Sequence, residues 1–209
     1  MEDRTAFGRW FSPGIFPLPS EQQSAAMYGA AVERLGLAGF EHYEISNYAR
    51  PGRRSRHNQQ YWRCEPVFGF GLGAASFVAG QRATRPSGMG QYAEWVEGAE
   101  QGGYSRAVRG LAQAQGGQGG QQEDMLDEIM LALRTADGLD LGRLRARHGA
   151  LGSSGADKVL RAAKALAGRG LVHVLRRPPP ECGASYVRLA DPEGFLLSND
   201  VISSIFAEF

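Results

Sequence analysis

The sequence predicts a mixed fold, an α/β unit followed by a small α+β domain. Three observations carry this. Between residues 20 and 46 a capped amphipathic pattern, a glycine-bearing turn and a strand-like alternation follow one another, which is the order of an α/β unit. From 123 to 209 the patterns read as three helices and a hairpin closed by a last helix, a winged-helix-like layout. Between them residues 113–122 (QAQGGQGGQQ) are low in complexity and have no apolar side chains to bury beyond one alanine, so a flexible Gln/Gly linker is expected there. The predicted units are therefore 1–112 and 123–209, and the second is expected to survive release as a helical domain.

Residues 1–19 read as irregular, with Pro13, Gly14, Pro17 and Pro19 as breakers. Ser20 to Gln23 fits a capping box, and Tyr28, Val32 and Leu35 then fall on one helical face until Gly36 and Gly39 end the pattern. His42–Ser46 alternates as a strand, with Tyr43 and Ile45 on one face and Glu44 and Ser46 on the other. Val67–Ala79 is a second strand candidate, whose Gly69, Gly71 and Gly73 share a face that a ligand or another backbone could approach. A helix near Gln91–Glu100 is expected to bury Tyr92 and Trp95. Beyond the linker, Glu123–Leu133 places Leu126, Met130 and Leu133 on one face. Helices follow at about Leu141–Arg147 and Ala156–Ala167, separated by a break at Gly152–Gly155. Strands at Leu171–Leu175 and Tyr186–Leu189 flank the prolines at 178–180, and Asn199–Phe209 closes as a helix.

The 209 residues carry a net charge of +1, so nothing global points to nucleic acid or an anionic membrane. The two cysteines, Cys64 and Cys182, lie far apart and cannot form a disulfide framework or supply a metal cluster by themselves. No apolar run approaches the roughly 20 residues that span a bilayer, and the first residues lack the apolar core of a signal peptide. A soluble intracellular protein is expected, in the cytoplasm or in an organelle such as a chloroplast or mitochondrion.

The segment from His42 to Phe77 concentrates the chemically capable side chains. In His57-Asn58-x-x-Tyr61-Trp62, a helix would put His57 and Tyr61 on one face at i, i+4, as a ligand and its orienting partner. An imidazole ligates haem iron, and Tyr61 and Trp62 can stack on a flat macrocycle. The same residues also read as a surface histidine beside two partly buried aromatics. Arg50, Arg53, Arg54 and Arg56 can clamp carboxylates, although a solvated basic loop is the default. Gly69-x-Gly71-x-x-Ala74 fits a dinucleotide fingerprint in form, but no amphipathic helix starts there. The acidic Glu123, Asp124, Asp127 and Glu128 suit a helix N-terminus. On the presumed recognition helix Lys158, Arg161 and Lys164 are accompanied by Asp157, a weak signal for DNA.

The block HYEISNYARPG, SRHNQQYW and FGFGLGAASF resembles the C-terminal half of the oxygen-independent coproporphyrinogen III oxidase-like family, which are radical S-adenosylmethionine proteins. HNxxYW points to its HemW-type haem-chaperone branch. The resemblance runs on through LPSEQQSAAMY, MLALRTADGLDL and GFLLSNDVISSIF, so it covers nearly the whole chain. It implies that residues 1–112 are the last strands and helices of an incomplete (β/α) radical SAM barrel, and that 123–209 is the HemN-type C-terminal domain. It also implies that His57, Asn58, Tyr61 and Trp62 bind haem, and that the function is haem binding and delivery to acceptor haemoproteins. The alternatives are anaerobic coproporphyrinogen III oxidation in porphyrin biosynthesis and, from another class, a non-enzymatic winged-helix interaction module. The family's CxxxCxxC for its [4Fe–4S] cluster does not occur in this sequence, so the cluster and S-adenosylmethionine are not expected to be bound by this chain alone, nor is catalysis. Where the family often has Gly-Ala-His-Ser, this chain has Gly73-Ala74-Ala75-Ser76.

Overall fold

The structure, a computed structural model, describes residues 6–10, 19–78, 81–114, 121–176 and 185–209. Helix α1 (Ala6–Trp10) occupies part of the stretch expected to be irregular; Pro13, Gly14 and Pro17 lie outside the described residues. Helix α2 (Glu21–Leu37) begins with the expected capping box. The Gln23 amide donates to Ser20 Oγ at 3.2 Å and the Ser20 amide to Gln23 Oε1 at 2.8 Å. This satisfies two of the donors a helix start leaves open. Tyr28, Val32 and Leu35 are half-buried on one face. Gly36 is helical, and Gly39, at φ +79°, turns the chain into the first strand.

Strand β1 (Glu41–Glu44) pairs antiparallel with β2 (Asn47–Ala49), a short strand that the sequence reading missed. A register shift between His42 and Glu44 breaks the simple alternation. Tyr43 and Glu44 are both buried, so both faces of the strand are covered at its end. Helix α3 (Arg56–Trp62) follows, capped by Ser55, whose Oγ accepts the Asn58 amide.

The run Val67–Ala79 is not one strand. Only β3 (Ala75–Val78) is regular, joined to the earlier part by a bridge between Val67 and Phe77. Gly71 and Gly73 have φ of +102° and +66°, which bend the chain into a loop that no extended strand accommodates. Strand β4 (Gln81–Thr84) pairs with β3, and helices α4 (Met89–Gly102) and α5 (Tyr104–Ala114) pack beside them. Tyr92 and Trp95 are half-buried rather than buried. Ala83 and Val108 centre a small cluster with Val78, Trp95, Tyr104 and Leu111. Helix α5 reaches residue 114 and the next begins at 121, so the ends of the expected linker are helical; 115–120 lie outside the described residues.

Helix α6 (Gln121–Leu133) turns its buried face through Met125, Ile129 and Leu133. Strand β5 (Leu139–Asp140), helix α7 (Leu141–Ala167), β6 (Val172–Arg176) and β7 (Ser185–Leu189) follow, with an antiparallel sheet in the order β5-β7-β6. The predicted break at Gly152–Gly155 is found instead at Gly149 (φ +59°, ψ −128°), where α7 kinks. Residues 178–180 and Cys182 lie outside the described residues. Helices α8 (Glu193–Leu196) and α9 (Ser198–Phe206) close the chain. The main core gathers Ile129, Leu141, Leu144, Val159, Val187 and Ile205, none more than 1 % exposed. Each side chain buried this way contributes about 1.5–3 kcal/mol. Tyr28 and Ile45 pack on this same core. Two backbone bonds join β1 to the end of α6, Ile45 to Arg134 at 3.2 Å and Ala136 to Tyr43 at 3.0 Å.

Candidate functional site

A single helical turn separates the four side chains of the HNxxYW cluster into two pairs. Asn58 and Trp62, at i and i+4, turn toward β1 and meet on one carboxylate. Asn58 Nδ2 donates to Glu44 Oε1 at 2.8 Å, and Trp62 Nε1 donates to Glu44 Oε2. Glu44 is 1 % exposed, so these donors are what make its burial tolerable. His57 and Tyr61, also at i and i+4, form the other pair, ring edge against ring face at 4.9 Å and 88°. His57 is exposed, and among the described residues no hydrogen bond or ion pair engages its ring nitrogens. The cluster thus has an anchoring side and a free side.

Two cavities flank the helix. Tyr61 and Cys64 border one of about 90 Å³, together with Ser76, Phe77, Arg82 and Asp127. Trp62 borders another of about 240 Å³, between Arg54, Asp137, Arg143 and Tyr186. Enclosed small-molecule pockets hold about 300–1,000 Å³, so neither surrounds a tetrapyrrole, and His57 borders neither.

The basic loop is only partly free. Arg54 pairs with Asp137 at 2.7 Å and Glu41 at 3.3 Å. Burial works to lower its guanidinium pKa, but the bonds and charges of Asp137 and Glu41 outweigh that and raise it. Arg50 lies over the Phe40 ring at 5.1 Å. Arg53 and Arg56 are exposed.

Cys64 is half-buried at φ +52°. Desolvation, reinforced by Glu128, pushes its thiol above the usual range. No group of three or more His, Cys, Asp or Glu among the described residues is placed to hold a metal ion. With two cysteines in the whole sequence, the donor set does not fit a [4Fe–4S] cluster. On α7, Lys158 lies over the Phe209 ring at 4.8 Å and Arg161 reaches Glu208 at 3.6 Å, so two of the three cations noted for DNA contact meet the C-terminal tail.

Glu44 escaped the sequence reading. The signal was the pair of donors at i, i+4, which asked for a buried acceptor.

No family model matches the chain. It is 33% identical to the heme chaperone HemW of Synechocystis over 215 residues, covering 99% of this chain and 49% of that protein. The heme chaperone HemW of Bacillus subtilis is 30% identical over 208 residues, covering 100% of this chain and 49% of that protein. The mitochondrial radical S-adenosyl methionine domain-containing protein 1 of Bos taurus is 44% identical over 74 residues, 35% of this chain and 17% of that protein. Among solved structures, the coproporphyrinogen III oxidase HemN of Escherichia coli, described as a radical SAM enzyme, superposes with a TM-score of 0.58 at 17% identity. That superposition covers 90% of this chain and 42% of HemN, and it bears on the fold alone. The chain spans about half the length of the curated relatives it matches. No helix among the described residues is long and apolar enough to cross a membrane. Along almost its whole length this chain is homologous to the C-terminal half of the HemW heme chaperones, and it belongs to that family.

Proposed function

We propose that this chain is the haem-binding half of a HemW-type haem chaperone, with His57 ligating haem iron on an open surface. The observation that supports this most directly is the division of labour within the motif. Asn58 and Trp62 are committed to Glu44 and hold helix α3 in place, which leaves the His57 imidazole free and steadied by Tyr61. Haem, when bound, supplies the iron that an imidazole nitrogen would hold. Arg53 and Arg56, exposed at the start of α3, would meet its propionates. A shallow site of this kind suits handover to an acceptor haemoprotein better than retention, because few contacts must break on release. Asn58 and Trp62 act in this reading as positioning residues.

On the same reading residues 1–112 complete a (β/α) radical SAM barrel, 113–122 link, and 123–209 form a winged-helix-like HemN-type domain. The [4Fe–4S] cluster and S-adenosylmethionine would belong to the half the relatives have in addition. Oxidation of coproporphyrinogen III would require that half as well. The order α6-β5-α7-β6-β7 supports a winged-helix interaction module as a second reading, for which a salt-sensitive mobility shift with DNA is the check. The work place would be the cytoplasm or an organelle, in line with the mitochondrial relative.

The test of the first reading is spectroscopic. The chain has four histidines. His42 lies against Asp191 at 2.7 Å and His148 against Glu128 at 3.0 Å, whereas His173 is on β6. On titration with haem, His57→Ala should abolish or shift the Soret band, while His148→Ala and His173→Ala leave it in place. Spectra identical between wild type and His57→Ala end the proposal.

A further inference from the structure

The loop Phe68–Ala74 has no part in the His57 site. Its backbone is pinned: the Gly69 amide donates to Ser76 Oγ at 3.0 Å, and Tyr104 Oη donates to the Gly69 carbonyl at 3.2 Å. A Cβ on Gly69 would lie 2.2 Å from the Ala75 carbonyl oxygen, so this residue must be glycine. The loop's apolar side chains nevertheless face solvent, with Phe68 42%, Phe70 76% and Leu72 44% exposed. Beneath them lies Arg85, only 3% exposed. Its guanidinium sits 5.0, 4.9 and 4.8 Å from the ring centroids of Phe70, Trp95 and Tyr104. Its Nε and Nη2 are buried without a hydrogen-bond partner.

An unpaired buried donor is costly, and more so when it belongs to a cation. Cation–π contact does not make good two open N–H groups on that cation. Nε and Nη2 together form the edge of a guanidinium that receives a carboxylate through two parallel bonds. Phe70, whose ring lies against the guanidinium, is itself 76% exposed, so its side chain can turn aside. A bare inorganic anion would use the cation and leave the apolar loop unpartnered. A flat aromatic molecule bearing a carboxylate uses both.

We propose that Arg85 and the Phe68–Leu72 loop form a binding site for a carboxylate-bearing tetrapyrrole, the carboxylate on Arg85 Nε and Nη2 and the ring face on Phe70. The assignment rests on the haem reading above for its choice of ligand class and adds a contact that does not involve iron. Metal-free protoporphyrin IX therefore separates the two. Its binding to the purified chain, followed by the anisotropy of porphyrin fluorescence, should weaken at least tenfold in Arg85→Gln. Protoporphyrin dimethyl ester should bind wild type and Arg85→Gln alike, and more weakly than the diacid binds wild type. Equal affinity of diacid and ester, or of wild type and Arg85→Gln, overturns the site. Should Arg85→Gln fail to fold by circular dichroism, Phe70→Ala decides instead: it should weaken diacid and ester together, and unchanged binding overturns the site. A His57-dependent Soret band without metal-free porphyrin binding would leave the haem reading standing and remove this one. The reverse result would do the opposite.

Discussion

Glu44 shows at the scale of one residue how the candidate site is held. A carboxylate buried to 1% exposure is tolerated only where donors replace the water it has lost, and Asn58 and Trp62 are those donors. Removing the acceptor strands both. Glu44→Ala should therefore destabilise the protein by roughly 1–3 kcal/mol, the cost of leaving two half-buried donors without their acceptor. Glu44→Gln, which keeps one acceptor oxygen in the same place, should cost less. Urea denaturation followed by tryptophan emission measures both, and equal stability of Glu44→Ala and wild type would show that helix α3 is held by something else. The sequence displayed the donors, since a capped helix at Ser55 puts Asn58 and Trp62 a turn apart. It did not display the acceptor. Alternation puts Glu44 on the face opposite Tyr43, and that face is buried because α3 packs over it through Asn58 and Trp62, a tertiary contact that no local pattern displays.

At the scale of elements, glycine is the residue that misled and the one that tests the account. Gly152–Gly155 reads as the breaker, yet it is Gly149 that breaks the helix. Gly152 and Gly155 are glycine because backbone or a neighbouring side chain comes too close: a Cβ on Gly152 would lie 2.3 Å from the Leu144 carbonyl oxygen, and on Gly155 2.7 Å from Met125 Sδ. Local sequence cannot distinguish a glycine needed for a turn from one needed for a contact, because the contact is made by a distant residue. The helix–hairpin order of the C-terminal part was legible all the same, since its periodicities are local. The loop at 68–74 was not, because its apolar residues look like a buried strand while Gly71 and Gly73 dictate a bend. The same substitution should accordingly change sign with position. Gly29→Ala, in open space on α2, should stabilise by about 0.5–1 kcal/mol. Gly152→Ala should destabilise by roughly 1–3 kcal/mol through overpacking against backbone. Thermal unfolding of the two variants side by side decides it, and a stabilised Gly152→Ala would show that α7 does not pack against its own first turns as described.

At the scale of the whole molecule, composition and packing divide the chain differently. The Gln/Gly run at 113–122 separates two stretches of sequence, but β1 and β2 lie against residues far beyond it. His42, whose side chain is 4% exposed, places Nδ1 2.7 Å from Asp191 Oδ1. Its ring stacks on Tyr48 at 4.2 Å and meets Phe195 edge-on at 4.8 Å. Tyr28 donates to the Ile45 carbonyl at 3.0 Å, closing the cluster from α2. Phe195 is itself 1% exposed, so His42 and its neighbours seal part of the main core. This arrangement fixes where α3 and His57 stand relative to the C-terminal part, and it makes a definite prediction. A specific protease site introduced at Gly116–Gly117 should be cut without separating the halves, which should co-elute in size-exclusion chromatography. His42→Ala removes the contact with Asp191, the stacking and the edge contact at once, and should let the cut pieces part at micromolar concentration. Asp191→Asn keeps the rings in place and should have the smaller effect. If the wild-type pieces separate on cutting and the C-terminal piece keeps its helical circular dichroism, the two parts are independent domains and the contacts through His42 are incidental to the fold.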